Sequence, residues 1–286
     1  MLALCIIILY ISILNVKEDI LNLSGKTALV TGGAVRIGRA ICEELASKGC
    51  NIVIHYNHSV DDAKLLATKI KSENVNSWLV KGDLSAETGC KGILKDAERK
   101  AGRIHILVNN AAVFHKDGLM SSTDRKLKAE IEVNLLAPMM LMKEFARMVL
   151  HDCKGEGDAV AGKVINLLDR RIAGAEVGCL PYLLSKKMLA ELTRSAALEL
   201  APYITVNGVA PGAILPPPVH DERTVGGKGA KDRVRDLAGK IPMKFRCSTG
   251  DVAKAVVFML ESDALTGQVI FVDGGQHLVG TVADVS

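Results

Sequence analysis

Residues 27–45, "TALVTGGAVRIGRAICEEL", decide how the rest of the chain is read. A short aliphatic and β-branched run enters a glycine-rich turn, and the turn enters an apolar pattern at helical spacing. A strand feeding a helix in this way aims the first helical N–H groups, and the positive end of the helix dipole, at whatever sits above the turn. A pyrophosphate is the natural occupant. The spacing is Gly32-x5-Gly38, with Gly33 beside the first glycine and Arg36 where a middle glycine is often found. Gly32, Arg36, Ile37 and Gly38 are therefore expected to line a dinucleotide site.

The same alternation continues down the chain. Strands are expected at 27–31, 51–55, 77–80, 105–109, 163–167, 204–208 and 269–272, with helices at 36–48, 60–73, 87–101, 124–150 (broken near Pro138), 183–200 and 250–261. Seven strands joined by six helical crossovers make an α/β fold, a doubly wound Rossmann-type parallel sheet with helices on both faces. No repeat or linker divides it, so residues 23–280 are expected to form one domain. The one irregular stretch, 211–237, is dense in Pro and Gly and is expected to be a loop of the lid type.

Composition narrows the function classes. Of the 286 residues 49% are hydrophobic and only 3% aromatic, which suits the Val, Ile, Leu and Ala cores of parallel sheets. The net charge of +4 is scattered, with no basic run, so no nucleic-acid partner is expected. Seven cysteines without a C-x-x-C argue against a disulfide framework and against a metal site, and fit a reducing, cytoplasmic setting. Residues 1–22 form an apolar N-terminal extension. Its run "MLALCIIILYISIL" falls short of the roughly 20 residues that span a bilayer, and no stable membrane insertion is expected; a weak anchor is the alternative.

The end of the second strand selects the dinucleotide. An NAD site would place an acid there for the ribose hydroxyls, but "NIVIHYNHS" (51–59) has no carboxylate before Asp61 and Asp62. Arg36 with Tyr56, Asn57, His58 and Ser59 can instead surround a 2′-phosphate, so NADPH is expected. Asp83 and Leu84 follow the third strand, within reach of the adenine. Asn110 and Ala111 follow the fourth, beside the nicotinamide ribose.

In "INLLDRRIAGAEVGCLPYLLSK" (165–186), Tyr182 and Lys186 lie one helical turn apart on one face. An ammonium beside a phenol favours the ionised form, so Lys186 is expected to lower the Tyr182 pKa and make the tyrosine a proton donor. Asp169 stands where a serine or threonine is common in redox enzymes of this plan. A carboxylate accepts from ring N–H and amino donors and can pair with the phenol; the competing reading is a surface aspartate paired with Arg170 or Arg171.

Taken together, "TGGAVRIG" (31–38), "GDLS" (82–85), "NNAA" (109–112), "VN" (133–134), Tyr182-x3-Lys186, "VNGVAPG" (206–212) and "VDGG" (272–275) resemble the short-chain dehydrogenase/reductase family. Arg36, "HYNHS", Phe114, Asp169 and "LTRSAALELAP" (192–202) make the chain most similar to its pteridine reductases. The resemblance implies reduction of a pterin or dihydrofolate-like ring stacked between Phe114 and the nicotinamide. Tyr182 would then donate the proton with Asp169 as its partner, Lys186 would hold the ribose, and Arg36 would touch cofactor phosphate and substrate. Asn134 would support a relay water, and the backbone at Pro211 and Gly212 would border the nicotinamide amide. A homotetramer is implied as well, with the 124–150 and 183–200 helices at the interfaces.

Two departures stand out. Ala112 replaces a serine that pteridine reductases can carry, and Ile214 falls where a hydroxyl residue often meets the cofactor. Two alternatives stay open: a carbonyl or 3-oxoacyl-thioester reductase, and a non-catalytic NADPH-binding scaffold or sensor.

Overall fold

The structure, a computed structural model, describes residues 23–152, 160–214 and 238–279. The N-terminal extension and most of the expected lid fall outside them. Seven strands form one parallel sheet: β1 (Thr27–Val30), β2 (Asn51–Tyr56), β3 (Ser77–Lys81), β4 (Ile106–Asn109), β5 (Gly162–Leu167), β6 (Ile204–Pro211) and β7 (Val269–Val272). Their spatial order is β3-β2-β1-β4-β5-β6-β7. The order reverses between β1 and β4, and the carboxyl ends of the strands on either side of that point are where open α/β sheets bind ligands.

The helices are α1 (Arg36–Ser47), α2 (Val60–Lys71), α3 (Glu87–Ala101), α4 (Asp124–Ile131), α5 (Ala137–Asp152), α6 (Leu180–Leu200), α7 (Thr249–Leu260) and the short α8 (Gln276–Val279). Strand alternation divides the core between them. Ala28 and Val30 of β1 face Ile41 and Leu45 of α1, Leu66 of α2 and Val256 of α7. Leu29, between them, faces the other layer, where Ile93 and Leu94 of α3 and Phe145 of α5 are buried. Both faces of the sheet are therefore covered, which is why its strands are continuous apolar runs.

Two expectations shift. The break in the 124–150 helix is a π-helical turn over Glu132–Leu136, just ahead of Pro138. Proline has no N–H to return to the preceding turn, so the helix widens there and α5 begins afresh with Pro138 in its first turn. The last crossover before β6 starts at Leu180, not 183, with Pro181 in its first turn, a position that suits proline's fixed φ. Tyr182 thus sits inside the first turn of α6, and Lys186 one turn further in.

Candidate active site

The glycine turn is built for close approach. Gly32 (φ 59°) and Arg36 (φ 54°) both lie in the left-handed region, so Arg36 takes up a backbone conformation that a glycine would adopt freely. A Cβ on Gly38 would lie 2.2 Å from the Gly32 carbonyl oxygen, so only glycine fits where α1 crosses the turn. The turn is tied to the end of β4. Thr31 Oγ1 accepts from Asn110 N (2.9 Å) and Ala111 N (3.0 Å), while Asn110 Nδ2 donates to Thr31 O (2.8 Å) and Gly32 O (3.1 Å). At the start of α1, Val35 supplies no side-chain cap and the first turn holds no acid, which leaves the N–H groups and dipole to an external anion.

His55, which the strand pattern alone reads as core, braces this turn from below. Gly32 N donates to its Nδ1 (3.2 Å), which fixes the tautomer, so Nε2–H donates to Gly82 O (3.2 Å). Burial lowers its pKa to about 4, keeping the ring neutral. Beyond it Tyr56 and Asn57 are half-buried and His58 is exposed. Ser59 precedes α2 without its hydroxyl capping the helix. Asp61 and Asp62 point outward from the first turn of α2, so no carboxylate lies at the end of β2 itself. Asp83, after β3, accepts from Ser85 N (2.9 Å), and that N–H holds its carboxyl below the usual range; Leu84 beside it is buried. These features fit a dinucleotide carrying a 2′-phosphate.

At the ends of β5 and β6 the remaining residues converge. Asp169 leaves β5 and starts a 3₁₀ turn, Arg170–Ala173, by accepting from Arg171 N (2.9 Å). Tyr182 Oη donates to Asp169 Oδ2 across 3.1 Å. The Phe114 ring meets the Tyr182 ring edge to face, with centroids 4.8 Å apart. Lys186 is buried, and its Nζ donates to Leu167 O at 2.6 Å while lying 5.9 Å from the centre of the tyrosine ring.

The shift on the tyrosine runs opposite to the expected one. Burial, followed by the negative charge of Asp169, drives the Tyr182 pKa well above its ordinary value, so the phenol is neutral. Lys186, turned towards the Leu167 carbonyl, does not offset this; its own pKa is lowered by burial to about 8. The phenol therefore retains its proton, and the carboxylate, not the ammonium, is its hydrogen-bond partner.

Asn134 sits in the π-helical turn, a distortion common at functional sites. Its Oδ1 accepts from Val113 N (2.8 Å), and its Nδ2 lies 2.9 Å from Val113 O, 2.6 Å from Glu130 Oε2 and 3.1 Å from Ser185 Oγ. Glu130 is fully buried, with Oε1 accepting from His115 N (2.6 Å) and facing His115 Nδ1 (2.9 Å). Sequence reading missed Glu130, although its i, i+4 spacing to Asn134 was visible. On the far side Gly212 N donates to Val272 O (3.0 Å), extending β6 past Pro211, and Arg246 Nε donates to Ala213 O (2.9 Å). Ile214, in place of a hydroxyl residue, packs against the core.

Asp169 bonds Tyr182 and also pairs with Arg171 (3.0 Å), as the competing reading expected, but its side chain is largely buried and not a surface one. The placement thus brings Phe114, Asp169, Tyr182 and Lys186 into one cluster.

Residues 33–277 match the family model described as enoyl-(acyl carrier protein) reductase. Pteridine reductase 1 of Leishmania tarentolae is 33% identical, over 88% of this chain and 96% of its own. The 3-oxoacyl-(acyl-carrier-protein) reductase FabG of Staphylococcus epidermidis is 31% identical, over 88% and 99%. Among solved structures, FolM alternative dihydrofolate reductase 1 from Brucella canis, complexed with NADP, superposes with a TM-score of 0.80 at 32% identity, covering 93% of this chain and 99% of that one.

Proposed function

The chain belongs to the short-chain dehydrogenase/reductase family, and on that premise we propose that it reduces a pterin or dihydrofolate-like ring with NADPH. The observation that carries this reading is the Asp169–Tyr182 hydrogen bond beneath Phe114. A ketone or alcohol presents one oxygen, for which a neutral hydroxyl suffices. A pterin presents N–H and amino donors beside ring nitrogens, which call for an acceptor and a proton donor side by side.

The residues divide the work as follows. The N–H groups at Ile37 and Gly38, above the turn that Gly32 forms, receive the pyrophosphate. Arg36, Tyr56, Asn57, His58 and Ser59 surround the 2′-phosphate, Asp83 and Leu84 border the adenine, and Asn110 and Ala111 the ribose. Lys186 Nζ holds ribose hydroxyls, and the backbone of Pro211 and Gly212 borders the nicotinamide amide. When bound, NADPH supplies the hydride. Phe114 offers a flat face to the substrate ring, and Asp169 accepts from its donors. Tyr182 gives its proton to a ring nitrogen as the adjacent carbon is reduced. Asn134, anchored by Glu130, keeps a relay water in reach for reprotonation.

A second reading, reduction of a 3-oxoacyl thioester, is supported by the likeness to FabG. Following NADPH absorbance with dihydrobiopterin, dihydromonapterin, dihydrofolate and a 3-oxoacyl thioester separates the two. Turnover of a dihydropterin or dihydrofolate is expected; folded enzyme that turns over only the thioester overturns the main reading.

The domain is taken as 23–280, with 1–22 an appended segment. Among the described residues no helix is long and apolar enough to cross a membrane. The buried, unbridged thiols of Cys42, Cys50, Cys179 and Cys247 support a cytoplasmic location. The exposed apolar side chains Leu136, Met139, Leu184, Met188 and Leu198, on and beside α5 and α6, support the homotetramer.

A further inference from the structure

Arg171 has no part in the chemistry above, yet it touches two of its components. Its Nη1 lies 3.0 and 3.3 Å from the two oxygens of Asp169, and its guanidinium carbon lies 5.8 Å from the centre of the Phe114 ring. The guanidinium is itself held from another side: Nε donates to Glu176 Oε1 at 2.8 Å, and Glu176 is bonded in turn by the buried Arg170 at 3.1 Å. Two arginines thus balance two carboxylates in a closed cluster. Phe114 is 51% exposed, and its ring meets Tyr182 edge to face on one side and the guanidinium of Arg171 on another.

We infer that Arg171 is a positioning residue that sets the acid and the aromatic face of the substrate site in one fixed relation. The inference rests on the proposed roles of Asp169 and Phe114. A planar fork with a delocalised charge can bond a carboxylate at its edge while covering a ring with its face, and a lysine cannot do both. Any planar substrate that lies on Phe114 and donates to Asp169 then meets both at a preset separation. Without the Arg171 side chain the carboxylate and the ring keep their link through Tyr182 but lose the direct one, and part of the ordering cost is met at each binding event.

Arg171→Lys, Arg171→Gln, Phe114→Leu and the double variant Arg171→Gln/Phe114→Leu test this. The readouts are kcat and KM for a dihydropterin, and dissociation constants for an oxidised pterin and for NADPH by fluorescence quenching. Arg171→Gln is expected to raise KM and the pterin dissociation constant about tenfold, with a smaller change in kcat and none in NADPH affinity; Arg171→Lys falls between it and the wild type. The double variant is expected to lose much less than the product of the two single losses, because each removes the same relation. Pterin affinity unaltered in both Arg171 variants, fully multiplicative losses, or an equal loss of NADPH affinity overturns the inference. A wild-type protein that neither binds nor reduces any pterin overturns instead the reading of function on which it rests.

Discussion

The Tyr182 phenol and the Asp169 carboxylate are hydrogen-bonded across 3.1 Å, with the proton on the phenol. Burial and the neighbouring negative charge keep it there, which suits the role of acid proposed for the tyrosine. Tyr182→Phe removes that proton and nothing from the glycine turn. Turnover is expected to fall by about 10²–10⁴-fold, the usual worth of a positioned acid, with a far smaller change in NADPH affinity by fluorescence titration. Turnover within a few-fold of wild type would remove Tyr182 from the mechanism.

Gly38 touches the turn through the space where a side chain would be. The Cβ of Gly38→Ala would lie 2.2 Å from the Gly32 carbonyl, so the turn must shift before α1 can form against it. NADPH affinity is expected to drop at least about tenfold, because backbone N–H groups bind an anion only when correctly aimed. Isothermal titration with NADPH measures this directly.

His55 makes stability depend on pH. Its folded pKa, about 4, lies below its ordinary value of 6.5, so between those values the unfolded chain binds more protons and stability rises with pH. The contribution is complete above pH 6.5 and is lost as pH falls towards 4. Urea unfolding of wild type and His55→Gln across this window is expected to show the variant losing less stability on acidification, by up to about 3 kcal/mol. Parallel losses in the two proteins would mean that the ring is not the titrating group.

Glu130 accepts from the His115 backbone, lies against its ring nitrogen and accepts from the Asn134 amide, all from a fully buried position. In Glu130→Gln one oxygen must serve where two did, and an amide N–H₂ faces other donors. A loss of about 1–3 kcal/mol in unfolding free energy is expected, since buried polar groups left without partners cost that much. Turnover is expected to fall as well, because Asn134 loses one of the partners that hold its amide. Glu130→Asp, which retains both oxygens on a shorter stem, should recover more of the stability than Glu130→Ala.

Much of this arrangement was legible before the structure, and for physical reasons. The strands were apparent because a parallel sheet buried on both faces needs runs such as "NIVIH" and "KVINL". Gly32 and Gly38 marked the turn because the first takes a left-handed φ and a Cβ on the second would run into the Gly32 carbonyl oxygen. What the chain did not disclose was direction. Tyr182 and Lys186 were visibly one turn apart, but not that Lys186 Nζ turns to the Leu167 carbonyl and leaves the phenol to Asp169. Glu130 looks like an ordinary helix charge, and only the packing of α4 against the loop after β4 gives it a partner; Arg171 stood out as a partner for Asp169, but not its contacts with Glu176 and the Phe114 ring. His55 was hidden by its strand, where a buried polar side chain and a core residue share one position in the pattern.

The central claim is that Asp169 fits the site to a nitrogen-rich ring, and replacing it by the serine common in carbonyl reductases tests that most directly. The measurement is kcat/KM for a dihydropterin and for a 3-oxoacyl thioester, in wild type and Asp169→Ser. The variant is expected to lose dihydropterin reduction by about 100-fold or more, because a charged acceptor is removed from substrate and acid together. Dihydropterin reduction retained or raised in Asp169→Ser, or a wild-type preference for the thioester, would contradict it.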